Sequence, residues 1–178
     1  EINVPAGIFV SRNHTWVNVE LNGTARIGID DFARKIIGKI DAVELPQLNK
    51  EIKKGEPLLA IRQNSRTISI SSPISGKVTL LNAEHIEHPE LIGLIPFDLS
   101  WMCCIEPTNL AEELHALKIG VDSVNWYKEE IEKYTQIVSG AEKRSPQMGS
   151  SGKGNDQAGK QKAEEMMLED FAQAFLLR

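Results

Sequence analysis

The sequence predicts a mainly β fold with helices at its periphery. Between residues 8 and 105, short runs alternate apolar and polar side chains and are separated by glycine, asparagine and proline, which is typical of β-strands and turns. Helical spacing of apolar residues becomes prominent only after Thr108. With 41% hydrophobic and 25% charged residues, the composition is that of a globular protein.

Residues 53–78 predict a β-hairpin, and we expect the other strands and helices of the chain to be arranged around it. Residues 58–61 form an apolar run that suits a buried strand, and residues 67–71 alternate strictly, with Ile68 and Ile70 on one face. Three polar, turn-prone residues separate the two runs: Gln63, Asn64 and Ser65. We therefore expect the tip of the hairpin near Ser65.

A second hairpin is predicted over residues 17–29, because alternating runs flank the strong turn signal Asn22-Gly23. Its expected inward-facing residues are Val17, Val19, Leu21, Ala25, Ile27 and Ile29. A short helix over residues 30–38 should follow, with Asp30 and Asp31 at its N-terminus and Gly38 at its end. Its buried stripe is expected to be Phe32, Ile36 and Ile37.

Two helices are predicted after the last strand. Thr108 or Asn109 caps the first, which continues through Leu117, and the second runs from Val121 to about Val138. The expected inward stripe of the second helix is Val121, Val124, Tyr127, Ile131, Tyr134 and Val138.

The C-terminal part changes character. Residues 139–162 are rich in glycine, serine, glutamine and lysine and predict a flexible linker. Residues 163–178 predict an amphipathic helix whose apolar face carries Met167, Phe171, Ala174 and Phe175. Such a helix can dock on a partner protein or fold back on its own sheet, and the sequence leaves both open.

Charge and length exclude several functions. A net charge of −5 and a pI near 5.4 argue against general binding to nucleic acid or an anionic membrane. No apolar run approaches the roughly 20 residues of a membrane span.

The adjacent Cys103 and Cys104 suit a reducing compartment, so we expect a cytoplasmic protein. A chain that begins at Glu1 rather than methionine is typical of a fragment or a processed product.

Few residues in the sequence suggest a catalytic, metal-binding or redox site. His85 and His88, three apart and beside glutamates, can be a metal site, but a polar surface loop is the simpler interpretation. Cys103 and Cys104 can be a redox pair, but on a strand one should be buried and the other half exposed. Asp30 and its neighbour are more simply helix caps than paired acids. We expect no catalysis, metal or cofactor.

Several motifs together resemble the lipoyl-carrying H protein of the glycine cleavage system. The matching segments, in chain order, are His14 with Trp16 and Val17, then Gly28-Ile29-Asp30-Asp31, Val43-Glu44-Leu45-Pro46, Gly55-Glu56-Pro57 and Pro73-Ile74-Ser75-Gly76. The resemblance covers roughly residues 5–135 and implies a lipoyl/biotinyl hybrid-motif barrel-sandwich with peripheral helices. The expected organisation is the sandwich over 1–107, helices packed on it over 108–138, a linker over 139–162 and an amphipathic helix over 163–178. By the resemblance, His14 packs or forms a hydrogen bond at the start of a strand.

The resemblance also locates the family's lipoyl-lysine. Counted between the two anchors, that position falls on Ser65, followed by Arg66, and no lysine lies between Glu56 and Lys77. A serine hydroxyl cannot form the amide of lipoylation, and a guanidinium is a poor acyl acceptor because it stays protonated. We therefore expect no lipoyl group.

The expected function is that of a non-lipoylated, non-catalytic scaffold or adaptor in a larger complex, whose protein partner the sequence does not identify. The candidate partner contacts are Ser65, Arg66, Met167, Phe171 and Phe175. Two alternatives stay open. One is a covalent carrier loaded on Ser65 or on a displaced lysine, and the other is a redox module that uses the adjacent cysteines.

Overall fold

The computed structural model describes residues 2, 5–93, 99–144 and 174–175. Within these residues, strands form two antiparallel sheets, with order β1-β2-β3-β9-β8-β5 in the larger and β4-β6-β7 in the smaller. The strands are β1 Phe9–Val10, β2 Thr15–Val19, β3 Ala25–Ile29, β4 Ala42–Glu44, β5 Glu51–Ile52, β6 Pro57–Gln63, β7 Arg66–Ser71, β8 Gly76–Leu81 and β9 Trp101–Pro107. The helices are α1 Asp31–Ile37, α2 Glu84–Glu87, α3 Leu110–Leu114 and α4 Val121–Arg144, with a 3-10 helix over Pro89–Gly93.

One hydrophobic core takes side chains from both sheets. Ile27 and Ile105 of the larger sheet and Ile61 and Ile70 of the smaller sheet are all fully buried. The molecule is thus the predicted sandwich rather than a closed barrel, because each sheet keeps two edges. In the part of the chain that the structure describes, no helix has the length and hydropathy needed to cross a membrane.

The central hairpin is confirmed as β6 and β7. Gln63 pairs with Arg66, so the tip consists of the two residues Asn64 and Ser65. Asn64 has a φ of 53°, a left-handed conformation that asparagine tolerates better than most residues. The predicted inward face is also confirmed, since Ile68 and its alternate neighbour Ile70 are buried.

The second hairpin is confirmed as β2 and β3, but Leu21 does not face inward. Leu21 is fully exposed because β2 ends at Val19 and the five residues 20–24 connect it to β3. The Glu20 carbonyl accepts from the Gly23 N–H at 2.9 Å, and Gly23 has a φ of 85°. The loop is therefore a turn closed by a left-handed glycine, which turns Leu21 towards solvent.

Helix α1 has the predicted caps. The Asp30 Oδ1 accepts from the backbone N–H of Ala33 at 2.8 Å, and Gly38, at a φ of 71°, donates its N–H to the Arg34 carbonyl at 3.0 Å. Phe32 and Ile37 are buried and Ile36 is partly buried, as the stripe predicts. Local signals alone were enough to define this helix.

The helical stripe predicted for the second C-terminal helix is confirmed only in part. Tyr127 is buried and Tyr134 is partly buried, but Val121, Val124 and Ile131 are exposed, at 74%, 41% and 41%. The other buried residues of this helix were not in the predicted stripe: Ser123, Trp126 and Glu130. The apolar pattern failed there because two of the buried residues are polar: Glu130 is buried beside His14 and Lys133, and Ser123 is a small side chain.

The helix ends also differ from prediction. Helix α3 ends at Leu114, before the expected Leu117, and α4 continues to Arg144, into the first six residues of the predicted linker. The remainder of that linker lies outside the described residues. So does most of the predicted 163–178 helix, including Met167 and Phe171. Its described residues are Ala174, partly buried, and Phe175, fully buried in the core.

Helix α3 is tied to the turn between β7 and β8 by Glu113. The Glu113 carboxylate accepts from the N–H and from the hydroxyl of Ser75, both at 2.6 Å. The next residue, Gly76, must lack a side chain, since a Cβ there would overlap the Glu106 carbonyl oxygen. The turn therefore depends on a close backbone approach on one side and a buried carboxylate on the other.

Glu113→Ala should lower the free energy of unfolding by about 2 kcal/mol, because it removes a charged acceptor from two hydrogen bonds. Urea unfolding followed by circular dichroism measures the change. Glu112→Ala is the matched control, since Glu112 is exposed on the same helix and should change stability by less than about 0.5 kcal/mol. Equal effects of the two substitutions would contradict the assigned role of Glu113.

Candidate functional site

The hairpin tip is exposed and held in place from one side. Ser65 is exposed at the turn. The backbone N–H of Asn64 donates to Asp41 Oδ2 at 2.6 Å, and the Gln63 side-chain amide donates to the carbonyls of Ile37 and Lys39, the latter at 3.0 Å. The tip is therefore docked on the segment that follows α1 and presents Ser65 in a fixed position.

Arg66, the second partner contact predicted at the tip, is less accessible than Ser65. Its side chain is partly buried, and it makes an interaction within the chain. A partner carboxylate would have to compete with that interaction or add to it. Of the two tip candidates, Ser65 is thus the more accessible.

A buried cluster of charged and aromatic residues centred on His14 fastens α4 to the sheet. His14 is fully buried, with Nδ1 at 2.7 Å from Asp30 Oδ2 and Nε2 at 3.4 Å from Glu130 Oε2. Tyr127 donates its hydroxyl hydrogen to Asp30 Oδ2 at 2.8 Å, and Lys133 Nζ donates to Glu130 Oε1 at 2.7 Å. Residues from the start of β2, the cap of α1 and the middle of α4 thus meet at one imidazole.

Aromatic rings enclose this cluster. The His14 ring stacks on Phe32 at 4.7 Å and on Trp126 at 4.8 Å between ring centroids, and Phe175 lies 5.8 Å away. Phe175 is therefore enclosed by the chain's own residues, which corrects its prediction as a partner contact. It supports folding back of the C-terminal segment at this position.

The two carboxylates favour the charged form of His14 despite its burial. Burial lowers the pKa of His14, but attraction and hydrogen bonding from Asp30 and Glu130 together outweigh it, so the pKa lies above 6.5. Burial, helped by the negative charge of Asp30, raises the pKa of Tyr127, which stays a neutral donor. The cluster is a buried ion network rather than a catalytic triad, because it holds no nucleophile and faces no solvent.

Sequence reasoning anticipated part of this cluster. The expectation that His14 packs or forms a hydrogen bond agrees with its position, and Asp30 caps α1 as predicted. Glu130 was missed, since a lone glutamate in a charged helix gives no sign of burial. The one available signal was its position three or four residues from Trp126, Tyr127 and Tyr134.

Comparisons with known proteins agree with the architecture. A family model described as glycine cleavage H-protein matches residues 8–131. The chain belongs to this family. It is 38% identical over 117 residues to the probable glycine cleavage system H protein of Pyrococcus abyssi, an alignment that spans 66% of this chain and 87% of that protein. It is 39% identical over 111 residues to the glycine cleavage system H protein of Anoxybacillus flavithermus, spanning 62% and 87%.

A solved structure shows the shared fold. The crystal structure of a glycine cleavage system H protein from Mycobacterium marinum superimposes with a TM-score of 0.55 at 22% identity. The match covers 59% of this chain and 87% of that chain. At 22% identity this likeness concerns the fold alone. It supports the sandwich fold assigned to this H-protein family member.

The tip of this H-protein family member does not fit an amide-linked lipoyl group. Such a group needs a primary amine, and neither Asn64 nor Ser65 provides one. Lys54 and Lys77 lie at the base of the hairpin, about 20 Å from the tip for a strand of this length. Lys39 lies close to the tip, since its backbone carbonyl accepts from the Gln63 side chain at 3.0 Å.

The histidine pair is not arranged as a metal site. His85 is buried on α2, where its Nε2 accepts from the Asn82 side chain at 3.1 Å, whereas His88 is exposed beside Glu90. The expectation of a surface loop was therefore wrong for His85, and burial lowers its pKa. Among the described residues, no three histidine, cysteine, aspartate or glutamate side chains form a group that could hold a metal ion.

The adjacent cysteines are both buried, which corrects the prediction that one is half exposed. Cys103 is fully buried and Cys104 is nearly so, since residues 102–105 of β9 are all buried and both faces of the strand are therefore covered at this point. Burial raises the pKa of both thiols, that of Cys103 to about 12. Both cysteines therefore stay protonated at neutral pH, which argues against the redox alternative.

Thiol labelling should be at least about 100-fold slower in the native protein than in urea, because labelling needs an exposed thiolate. Reaction with a disulfide reagent at pH 8, followed by absorbance, measures both rates. Free cysteine added to the same solution controls for the reagent. Rapid labelling of even one thiol in the folded protein would contradict the buried arrangement and restore the redox alternative.

Proposed function

We propose that this glycine cleavage H-protein family member is a non-lipoylated, non-catalytic adaptor within a larger protein complex in the cytoplasm. The proposal is supported by the family-model match over residues 8–131 together with the count between the two sequence anchors, which assigns the lipoyl-lysine position to Ser65. A hydroxyl at that point cannot carry the amide-linked arm, while the hairpin that would present it is kept. A retained hairpin without its carrier residue is best suited to contact with another protein.

The tip of the hairpin supplies the proposed contact surface. Ser65 projects from a two-residue turn that is hydrogen-bonded to Asp41, so little conformational freedom would be lost on binding. Arg66 would contribute at the edge of this contact. Met167 and Phe171 stay in the proposal as C-terminal contacts, whereas Phe175 is withdrawn because the core encloses it.

Site-specific photo-crosslinking in the native host tests this adaptor role. A photoreactive phenylalanine analogue at position 65 should give a discrete crosslinked product that contains a second protein. The same analogue at exposed Lys77, at the base of the hairpin, is the matched control and should give at most weak, heterogeneous products. No product from position 65, or the same products from both positions, would contradict a partner contact at the tip.

A covalent carrier loaded at a non-standard residue is the second candidate function. It is favoured by the contact between Gln63 and the Lys39 carbonyl, which brings an exposed lysine next to the tip. This alternative predicts a covalent addition on Lys39 or Ser65 in protein taken from its native host. Absence of any addition on these two residues would remove it.

A further inference from the structure

A cleft of about 560 Å³ opens at the base of the central hairpin, at the end opposite to Ser65. Its walls come from the turn before β2, from the loops that precede β6 and follow β7, and from the connection between α3 and α4. This volume lies within the range of small-molecule sites in proteins. The cleft plays no part in the proposed contact at the tip.

Three cationic side chains line the cleft: Arg12, Lys54 and Lys118. In the part of the chain that the structure describes, none of them forms an ion pair. Among the described residues that line the cleft, Asp122 is the one carboxylate, so the three cations and this anion sum to +2. The whole chain, by contrast, carries −5.

The floor of the cleft is polar and fixed by hydrogen bonds. Asn13 and Ser72 are buried there. The Asn13 side-chain amide donates to the Ser71 carbonyl at 2.9 Å, and the Ser72 hydroxyl donates to the Ile74 carbonyl at 2.6 Å. A floor already fixed by hydrogen bonds below cationic side chains can hold a compact charged ligand without ordering the backbone.

We propose that this cleft binds a small, multiply charged anion of the phosphate-ester or dicarboxylate class. Arg12 offers paired N–H donors that match a carboxylate or a phosphate, and Lys54 and Lys118 act as point charges on either side. Three cations around one concavity give an acidic protein a local positive potential that favours an anion there. The inference is independent of the adaptor role, because it involves different residues at the other end of the hairpin.

Calorimetric titration of the full chain with inorganic phosphate and with succinate, at low ionic strength, tests the proposal. We expect saturable binding of at least one probe. Arg12→Gln and Lys54→Gln should each weaken it about tenfold, Asp122→Asn should tighten it several-fold by removing the opposing charge, and Lys77→Gln should leave it unchanged. Lys77 is an exposed lysine outside the cleft and is the matched control.

The outcomes separate the ligand classes. Binding of phosphate alone assigns the phosphate-ester class, binding of succinate alone assigns dicarboxylates, and binding of both assigns anions of either kind. Failure of both probes to bind would overturn the proposal. So would an equal loss of affinity in Lys77→Gln, which would indicate non-specific attraction, or weaker binding in Asp122→Asn. Thermal unfolding of each variant verifies that the exposed substitutions leave the fold intact.

Discussion

Ser65→Lys should turn the chain into an acceptor for lipoate. In the presence of a lipoate-attaching enzyme, lipoate and ATP, the variant should gain one lipoyl amide, whereas the unaltered chain should gain none. The reason is local, since the substitution places a primary amine on the exposed second residue of a two-residue turn whose hairpin is otherwise complete. Intact-mass measurement before and after the reaction gives the modified fraction.

Thr67→Lys is the matched control for this gain. Thr67 is also exposed, but it lies on β7 beyond the tip, so a lysine there should stay unmodified. Modification of the unaltered chain would contradict the assignment of Ser65 as the reason for non-lipoylation. Failure of Ser65→Lys to react would show that the surrounding residues, and not the missing amine alone, prevent attachment.

Glu130→Gln should lower the free energy of unfolding by about 3 kcal/mol at pH 6, the scale expected when one member of a buried ion pair is removed. Glu130 is fully buried between His14 and Lys133, so an amide leaves the charged imidazole with one carboxylate fewer. Urea unfolding measures the change. Glu132→Gln, an exposed neighbour on the same helix, should change stability by less than about 0.5 kcal/mol, and equal effects would contradict a buried network.

The same cluster predicts how stability depends on pH. The pKa of His14 is higher in the folded chain than in the unfolded chain. The contribution of His14 to the free energy of unfolding is therefore complete below about pH 6.5, and it is lost as the pH rises through the pKa of the folded state. The free energy of unfolding should therefore fall from about pH 6.5 upward. His14→Asn should remove most of this slope, since asparagine tolerates the left-handed backbone at this position. An unchanged slope in that variant would assign the dependence to other groups.

What the sequence could predict was largely local. The tip at Asn64 and Ser65 and the caps of α1 follow from turn and capping preferences that act over a few residues. Leu21 was misplaced because alternation does not reveal where a strand gives way to a loop. The strand prediction for Cys104 failed for a related reason, since a central strand of the larger sheet is covered on both faces.

The buried cluster could not be predicted, because its members are distant in sequence. His14 and Glu130 approach only when α4 crosses the sheet, and a glutamate is normally an exposed residue of a helix. The buried face of α4 was predicted only in part for the same reason: Tyr127 was assigned correctly, but the apolar Val121 was counted as inward and the polar Ser123 was not. Phe175 likewise joins the core from a segment whose composition gave no indication of its destination.

The most direct test of the central claim is the intact mass of the protein purified from its native host, with peptide mapping that includes Lys39 and residues 58–77. We expect the unmodified mass and unmodified peptides at Ser65 and Lys39. A lipoyl-sized addition on any residue would contradict the account and would identify the chain as a working carrier.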